Sequence, residues 1–147
     1  MAITTAMCNS FKGEILGGTH DLVNDTIKLA LIKETPTGTY NADTENYSDV
    51  TGNSDEASGT GYSAGGQTVD NISITVDDTN DVAFVDINDE VFSDVTTSVD
   101  GCIIYNSSQG NKAIAVIDFG GTVSATAGDL TIEFPAAAHN TAIIRIA

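Results

Sequence analysis

The sequence contains no tryptophan, only five basic residues, two cysteines and two prolines, and each shortage removes a class of explanation. Lys12, Lys28, Lys33, Lys112 and Arg145 stand against 21 acids, so the formal net charge is −16. A phosphate backbone would be repelled over most of that surface, which argues against nucleic acid as a partner, and the same charge disfavours an anionic membrane. No apolar run approaches the roughly 20 residues of a spanning helix. Residues 1–15 show no basic segment leading into an apolar core, so synthesis and folding in a cytoplasm are expected. Cys8 and Cys102 lack the spacing of metal ligands or of a disulfide framework, and both are expected as buried free thiols.

What is abundant points to strands. Leucine stops at five residues, whereas 15 Ile, 11 Val and 19 Thr favour pleated surfaces over helical ones. At 147 residues the chain is long enough for one domain with its own core, burying roughly 70% of its extended surface. Met7, Cys8, Phe11, Ile15 and Leu16 recur at spacings of three and four, which predicts a short helix over residues 4–17, capped by Thr4 or Thr5 and stopped by Gly17 and Gly18. Alternation predicts a strand over 26–34 and a hairpin of 72–76 with 82–87 around an acidic turn at 77–81. Further short strands are expected at 91–95, 102–106, 113–119, 122–127, 130–134 and 141–147, of which 102–106 and 113–119 are apolar on both faces, as in central strands.

Residues 35–66 break this pattern. They hold Asp43, Glu45, Asp49, Asp55 and Glu56 with no base among many glycines, which reads as a long acidic exposed excursion pinned by Tyr40, Tyr47 and Tyr62. Seven or eight short strands without crossover helices predict an all-β fold: an antiparallel β-sandwich, jelly-roll-like or Ig-like, with a partly closed barrel as the alternative.

Few residues are spaced for chemistry. His20 and His139 lie far apart in sequence without cysteines or carboxylates at ligand spacing, and are read as surface or loop histidines. The stretch Gly59-Thr-Gly-Tyr-Ser-Ala-Gly-Gly66 offers Ser63, but it lacks the spacing of a nucleophile elbow and the lysine and helix of a phosphate loop; a glycine-permitted loop is the better reading. Asp77, Asp78 and Asp81, like Asp86, Asp89 and Glu90, lack the pattern of a calcium loop and read as solvated acidic turns. No catalytic residue, cofactor or tightly bound metal is therefore expected.

Several segments carry a resemblance: Met1-Ala-Ile-Thr-Thr-Ala-Met-Cys-Asn-Ser-Phe-Lys-Gly-Glu-Ile-Leu16, the Gly59–Gly66 loop, Ile103-Ile-Tyr-Asn-Ser-Ser108, Ala115-Val-Ile-Asp-Phe-Gly120 and Ile143-Ile-Arg-Ile-Ala147. Together, along essentially the whole chain, they resemble a small structural protein of tailed phages, including marine and cyanobacterial ones. The acidic stretch between Tyr40 and Ser58 departs from that pattern by its length. Proteins of this kind include capsid decoration, or cement, proteins, so the resemblance implies a virion protein on the outer surface of the head. It implies the major capsid protein as partner and a homo-oligomer, commonly a trimer. A tail, neck or fibre-associated structural protein and a surface glycan-binding sandwich are the alternatives, the last weakened by the lack of tryptophan. The N-terminal segment is apolar and nearly uncharged, which makes Ala2, Ile3, Thr4, Thr5, Met7 and Phe11 the candidate capsid contact; the competing reading is that they cap the protein's own core.

Overall fold

A computed structural model describes residues 2–147. The chain begins with a two-residue strand β1 (Ala6–Met7) and a helix α1 (Asn9–Leu16), then β2 (Ile27–Lys33), a short helix α2 (Ser48–Gly52) and β3 (Gln67–Thr68). The hairpin β4 (Ser73–Asp77) and β5 (Val82–Asp86) follows, then β6 (Glu90–Asn106), β7 (Lys112–Ile132) and finally β8 (Arg145–Ile146). The fold is mostly β, 45% strand and 11% helix, in two antiparallel sheets of five and three strands. Their orders are β1-β7-β6-β2-β3 and β4-β5-β8.

The β6–β7 hairpin is the spine of the larger sheet. Local alternation divides it into five short strands, but the structure runs them into two long ones. The ladder bends without ending: between Val99 and Gly101 the partner jumps from Val123 to Asp118, and Gly120 and Gly121 absorb the extra residues at φ +76 and +157. Beyond that bulge β6 lies between β7 and β2, and Cys102 to Asn106 are buried at every position, as are Ala113 to Val116 opposite them. The expectation of central strands holds over 102–106 and 113–116 but not to residue 119, since Ile117 and Phe119 are half-buried and Asp118 is exposed. The smaller sheet joins the same core through Val85, Ile87 and Ile144, while Val82 and Phe84 on the other side of β5 pack with Ala142.

Two expectations need correction. The helix begins at Asn9, not at residue 4, because the chain ahead of it pairs as an edge strand. The Ala2 carbonyl accepts from Tyr40 N at 2.9 Å and Thr4 N donates to Tyr40 O at 2.8 Å. Ala6 and Met7 then pair with Val116 and Ala115, and Cys8 N donates to Ile114 O at 2.9 Å. A helix starting at residue 4 would leave that edge of β7 unpaired.

The second correction concerns residues 35–66, which are not simply an exposed excursion. Asp43, Glu45 and Asp49 do face solvent, but Tyr40, Thr44, Val50, Asp55 and Ala57 are buried. The segment pairs irregularly with the C-terminal end of β2 and the start of β7: Lys33 N donates to Asp55 O, Ala57 N to Leu31 O, and Ala113 N to Glu45 O, each at 2.8–2.9 Å. Backbone pairing and the neutral donors described below supply what burial of an acidic segment requires.

Cys8 and Cys102 are free and buried, as expected; burial pushes the Cys8 thiol up to about 12 and raises Cys102 as well.

Candidate interaction surface and its buried polar supports

A chain with 21 acids and five bases cannot neutralise its inward carboxylates by ion pairing alone, and the way it satisfies them shapes the surface. Asp55 is fully buried. Its carboxylate accepts from Thr37 N at 2.9 Å, Gly38 N at 2.7 Å, Thr37 Oγ1 at 3.1 Å and Tyr40 OH at 2.6 Å, and Lys33 Nζ lies 3.0 Å away. Glu56 is half-buried and accepts from Tyr47 OH at 2.5 Å, Tyr62 OH at 2.9 Å and Gly65 N at 2.6 Å. Glu90 is buried without a cation and accepts from Gln67 Nε2 at 2.8 Å and Asp70 N at 3.2 Å. Tyrosine hydroxyls and amides thus do most of the work that lysine and arginine do elsewhere.

The tyrosines are the expected pins, with carboxylates at their tips. Tyr47 stacks on Tyr105 of β6 with centroids 4.5 Å apart and planes 8° from parallel, and Tyr105 OH donates to Gly65 O at 2.7 Å. Tyr62 OH accepts from Leu31 N at 3.0 Å while donating to Glu56. Burial, reinforced by the carboxylates they contact, pushes the phenols of Tyr40, Tyr47 and Tyr62 above their ordinary value of 10.0, so they remain donors across the working pH range.

His20 is buried, which corrects its reading as a surface or loop residue; His139 is exposed. Asn106 Nδ2 donates to His20 Nδ1 at 3.0 Å, which places the imidazole proton on Nε2, and that nitrogen meets Glu14 Oε2 at 2.8 Å. Asn106 also donates to Asp25 Oδ2 at 2.7 Å and accepts from Gln109 N at 3.2 Å, while Lys112 Nζ reaches Glu14 at 2.6 Å. The chain of contacts ties α1 and the 20–25 loop to the turn joining β6 and β7. Asn106→Ala is expected to cost about 2–3 kcal/mol, since it strands buried partners. The fall in denaturation midpoint at unchanged slope measures it. Asn106→Asp should recover nothing, because it sets a carboxylate beside Asp25.

The Gly59–Gly66 stretch serves packing. A Cβ on Gly59 would lie 2.0 Å from Thr96 O, on Gly61 2.4 Å from Asp94 O, and on Gly66 1.8 Å from Leu29 O, so these glycines let the loop lie directly on the backbones of β6 and β2. Ser63 is exposed at its tip. Asp77 closes the β4–β5 turn by accepting from Thr79 N and Asn80 N, as an acidic turn should. Among the described residues no group of three His, Cys, Asp or Glu is placed to hold a metal ion.

The candidate contact residues split. Ile3 and Phe11 are core residues, which removes them from an outward contact; Met7 is half-buried; Ala2, Thr4 and Thr5 are exposed. Periodicity marks an apolar segment but not which side of it the rest of the fold covers. Beside the exposed face of this arm lies a cleft of about 440 Å³ lined by Thr5, Ile117, Phe119, Val123, Leu130 and Ile143 among others. Sequence reasoning missed it, since its walls come from two parts of β7 and the chain end. No known protein family, curated protein or solved structure matches this chain.

Proposed function

We propose that this chain is a non-enzymatic structural protein of a tailed-phage particle: a β-sandwich capsid decoration protein that binds the major capsid protein on the outer surface of the head as a homo-oligomer. The whole-chain resemblance supports the class, and the charge supports the outward position, because acids facing packaged DNA would be repelled while acids facing water are solvated. The observation that carries the contact is the N-terminal arm. Its residues Ala2, Thr4 and Thr5 are exposed, Thr5 lines the apolar cleft, and the arm is held in place by Tyr40 and by Asp118 N, which donates to Thr5 Oγ1 at 2.9 Å. A fixed, nearly uncharged ledge beside an apolar cleft can dock on a protein lattice without ordering cost. The glycan-binding alternative lacks platforms, because all four tyrosines are engaged in the packing described above.

The test uses substitutions, since deleting the arm would remove the core residue Ile3. Thr4→Glu together with Val123→Asp should weaken binding to undecorated capsids about tenfold or more at unchanged melting temperature. Unchanged binding removes this surface from the contact. Labelled protein found only on tails overturns the decoration reading itself.

A further inference from the structure

We propose that the three-stranded sheet is the contact between copies of this chain: strand β4 of one molecule enters the groove between β8 and α1 of the next, head to tail. This deepens the homo-oligomer part of the reading above and uses a different surface from the capsid contact.

The order β4-β5-β8 leaves two open edges. At one of them β4 is exposed on both faces, with Ile74 54% and Val76 70% accessible, and the strand carries neither lysine nor proline to guard it. Asp70, Asp77, Asp78 and Asp81 flank it in sequence and residues 34–111 contain no lysine or arginine, while in the fold His139 comes near Asp77 and Ile74 lines a cavity that also holds Arg145. At the other edge, β8 faces a groove of about 260 Å³ whose far wall is α1. The groove is lined by Met7, Phe11, Ile15, Leu16, Ile146 and Ala147 with Lys12 and Arg145, and by no acidic side chain. Leu16 is 87% and Ile146 52% accessible there. Two of the chain's five cations thus stand beside one apolar groove; their acceptors are neutral, Asn9 Oδ1 at 3.0 Å from Lys12 Nζ and Asn140 O at 2.6 Å from Arg145 Nη1, whereas Lys33 and Lys112 are paired with the carboxylates of Asp55 and Glu14.

The chain therefore carries both halves of a complementary contact. An added strand along β8 would extend the sheet by main-chain pairing, and period-two alternation would send Ile74 and Val76 into the groove together while the aspartates at the end of β4 approach Lys12 and Arg145. Charge also decides the symmetry. A two-fold contact of β4 with β4 would set aspartates against aspartates, and one of β8 with β8 would set cations against cations, whereas β4 with β8 pairs opposite signs. Such a contact is heterologous, so it propagates until a ring closes. The competing account is that the aspartates merely keep an open edge soluble.

Sedimentation of the full chain tests this. Wild type should rise from 15.2 kDa to a multiple of that mass as concentration increases. Val76→Asp and the double variant Lys12→Glu with Arg145→Glu should each remain at the monomer mass with unchanged circular dichroism and melting temperature. Mixed together, these two variants should form a species of twice the monomer mass and nothing larger, since the mixture holds one intact β4 and one intact groove that can meet. A wild type that stays monomeric, variants that assemble like wild type, or a mixture that stays monomeric would each overturn the contact. Capsid binding, read separately through Thr4 and Val123, would be untouched by any of these results.

Discussion

Replacing Asp55 with alanine is expected to lower the unfolding free energy by about 3–5 kcal/mol, the range for breaking a buried, fully bonded charge. The carboxylate is the common acceptor of Thr37 N, Gly38 N and Tyr40 OH, and alanine offers none of them a partner. Lys33 loses less, because it is partly exposed and also donates to Ser54 O at 2.8 Å. The cost should therefore arise mainly from orphaned neutral donors. Lys33→Met then serves as the control: it removes the cation, keeps the amides and the tyrosine in place, and should cost clearly less than Asp55→Ala in the same denaturation series. Equal losses would mean that the ion pair carries the site.

The same carboxyl gives a pH signature of defined sign. Burial alone would raise it, but the donors from Thr37, Tyr40, Gly38 and Lys33 outweigh burial and hold it well below its ordinary value of 3.8. A depressed carboxylate contributes stability that is fully present above the unfolded value and is lost as pH falls through the folded one. The stability gap between wild type and Asp55→Asn should therefore be constant near neutrality and narrow steadily as pH drops below about 3.8. Comparing the two proteins cancels the relief of the −16 charge on acidification, which acts on both. A gap that stays flat into the acid range would show that the site does not hold its charge.

What could be read from the sequence was what is encoded locally. The β4–β5 hairpin with its aspartate turn, the twice-buried runs at 102–106 and 113–116 and the tyrosine pins all follow from alternation and residue type within a few positions. The departures all involve distant partners. Residues 4–8 are expected to open the helix, but Tyr40 pairs with the backbone of Thr4 and β7 claims that of residues 6–8 from more than 100 positions away. Asp55 looks like a surface acid until Thr37, Gly38 and Tyr40 are folded against it. His20 is buried against Phe11, with Asn106, 86 positions on, as a hydrogen-bond partner. One signal was present beforehand: with so few bases, any acid drawn inward needs neutral donors, and three of the four tyrosines sit in the acid-rich stretch. The apolar cleft and the β8 groove have no such signal, being assembled from segments at opposite ends of the chain.

Gly66→Ala should be nearly as damaging as the loss of Asp55, at about 2–4 kcal/mol. Two costs add. Gly66 sits at φ +69, where a side chain is strained, and a Cβ there would lie 1.8 Å from Leu29 O and 2.7 Å from Ala30 Cα. Those atoms belong to β2, which is held between β6 and β3, so the strand cannot yield and the loop must lift instead. Lifting it would carry Gly65 away from Glu56 and from Tyr105, opening the carboxylate cluster beneath. Gly110 provides the control, because its φ is also +69 but open space surrounds its Cβ position. Gly110→Ala should thus show the conformational cost alone, about 1 kcal/mol. The difference between the two substitutions, read from denaturation midpoints at equal slope, isolates the close approach of loop to strand. If both alanines cost the same, the loop is free to move off β2, and the glycines from 59 to 66 are there for turning the chain and not for packing it.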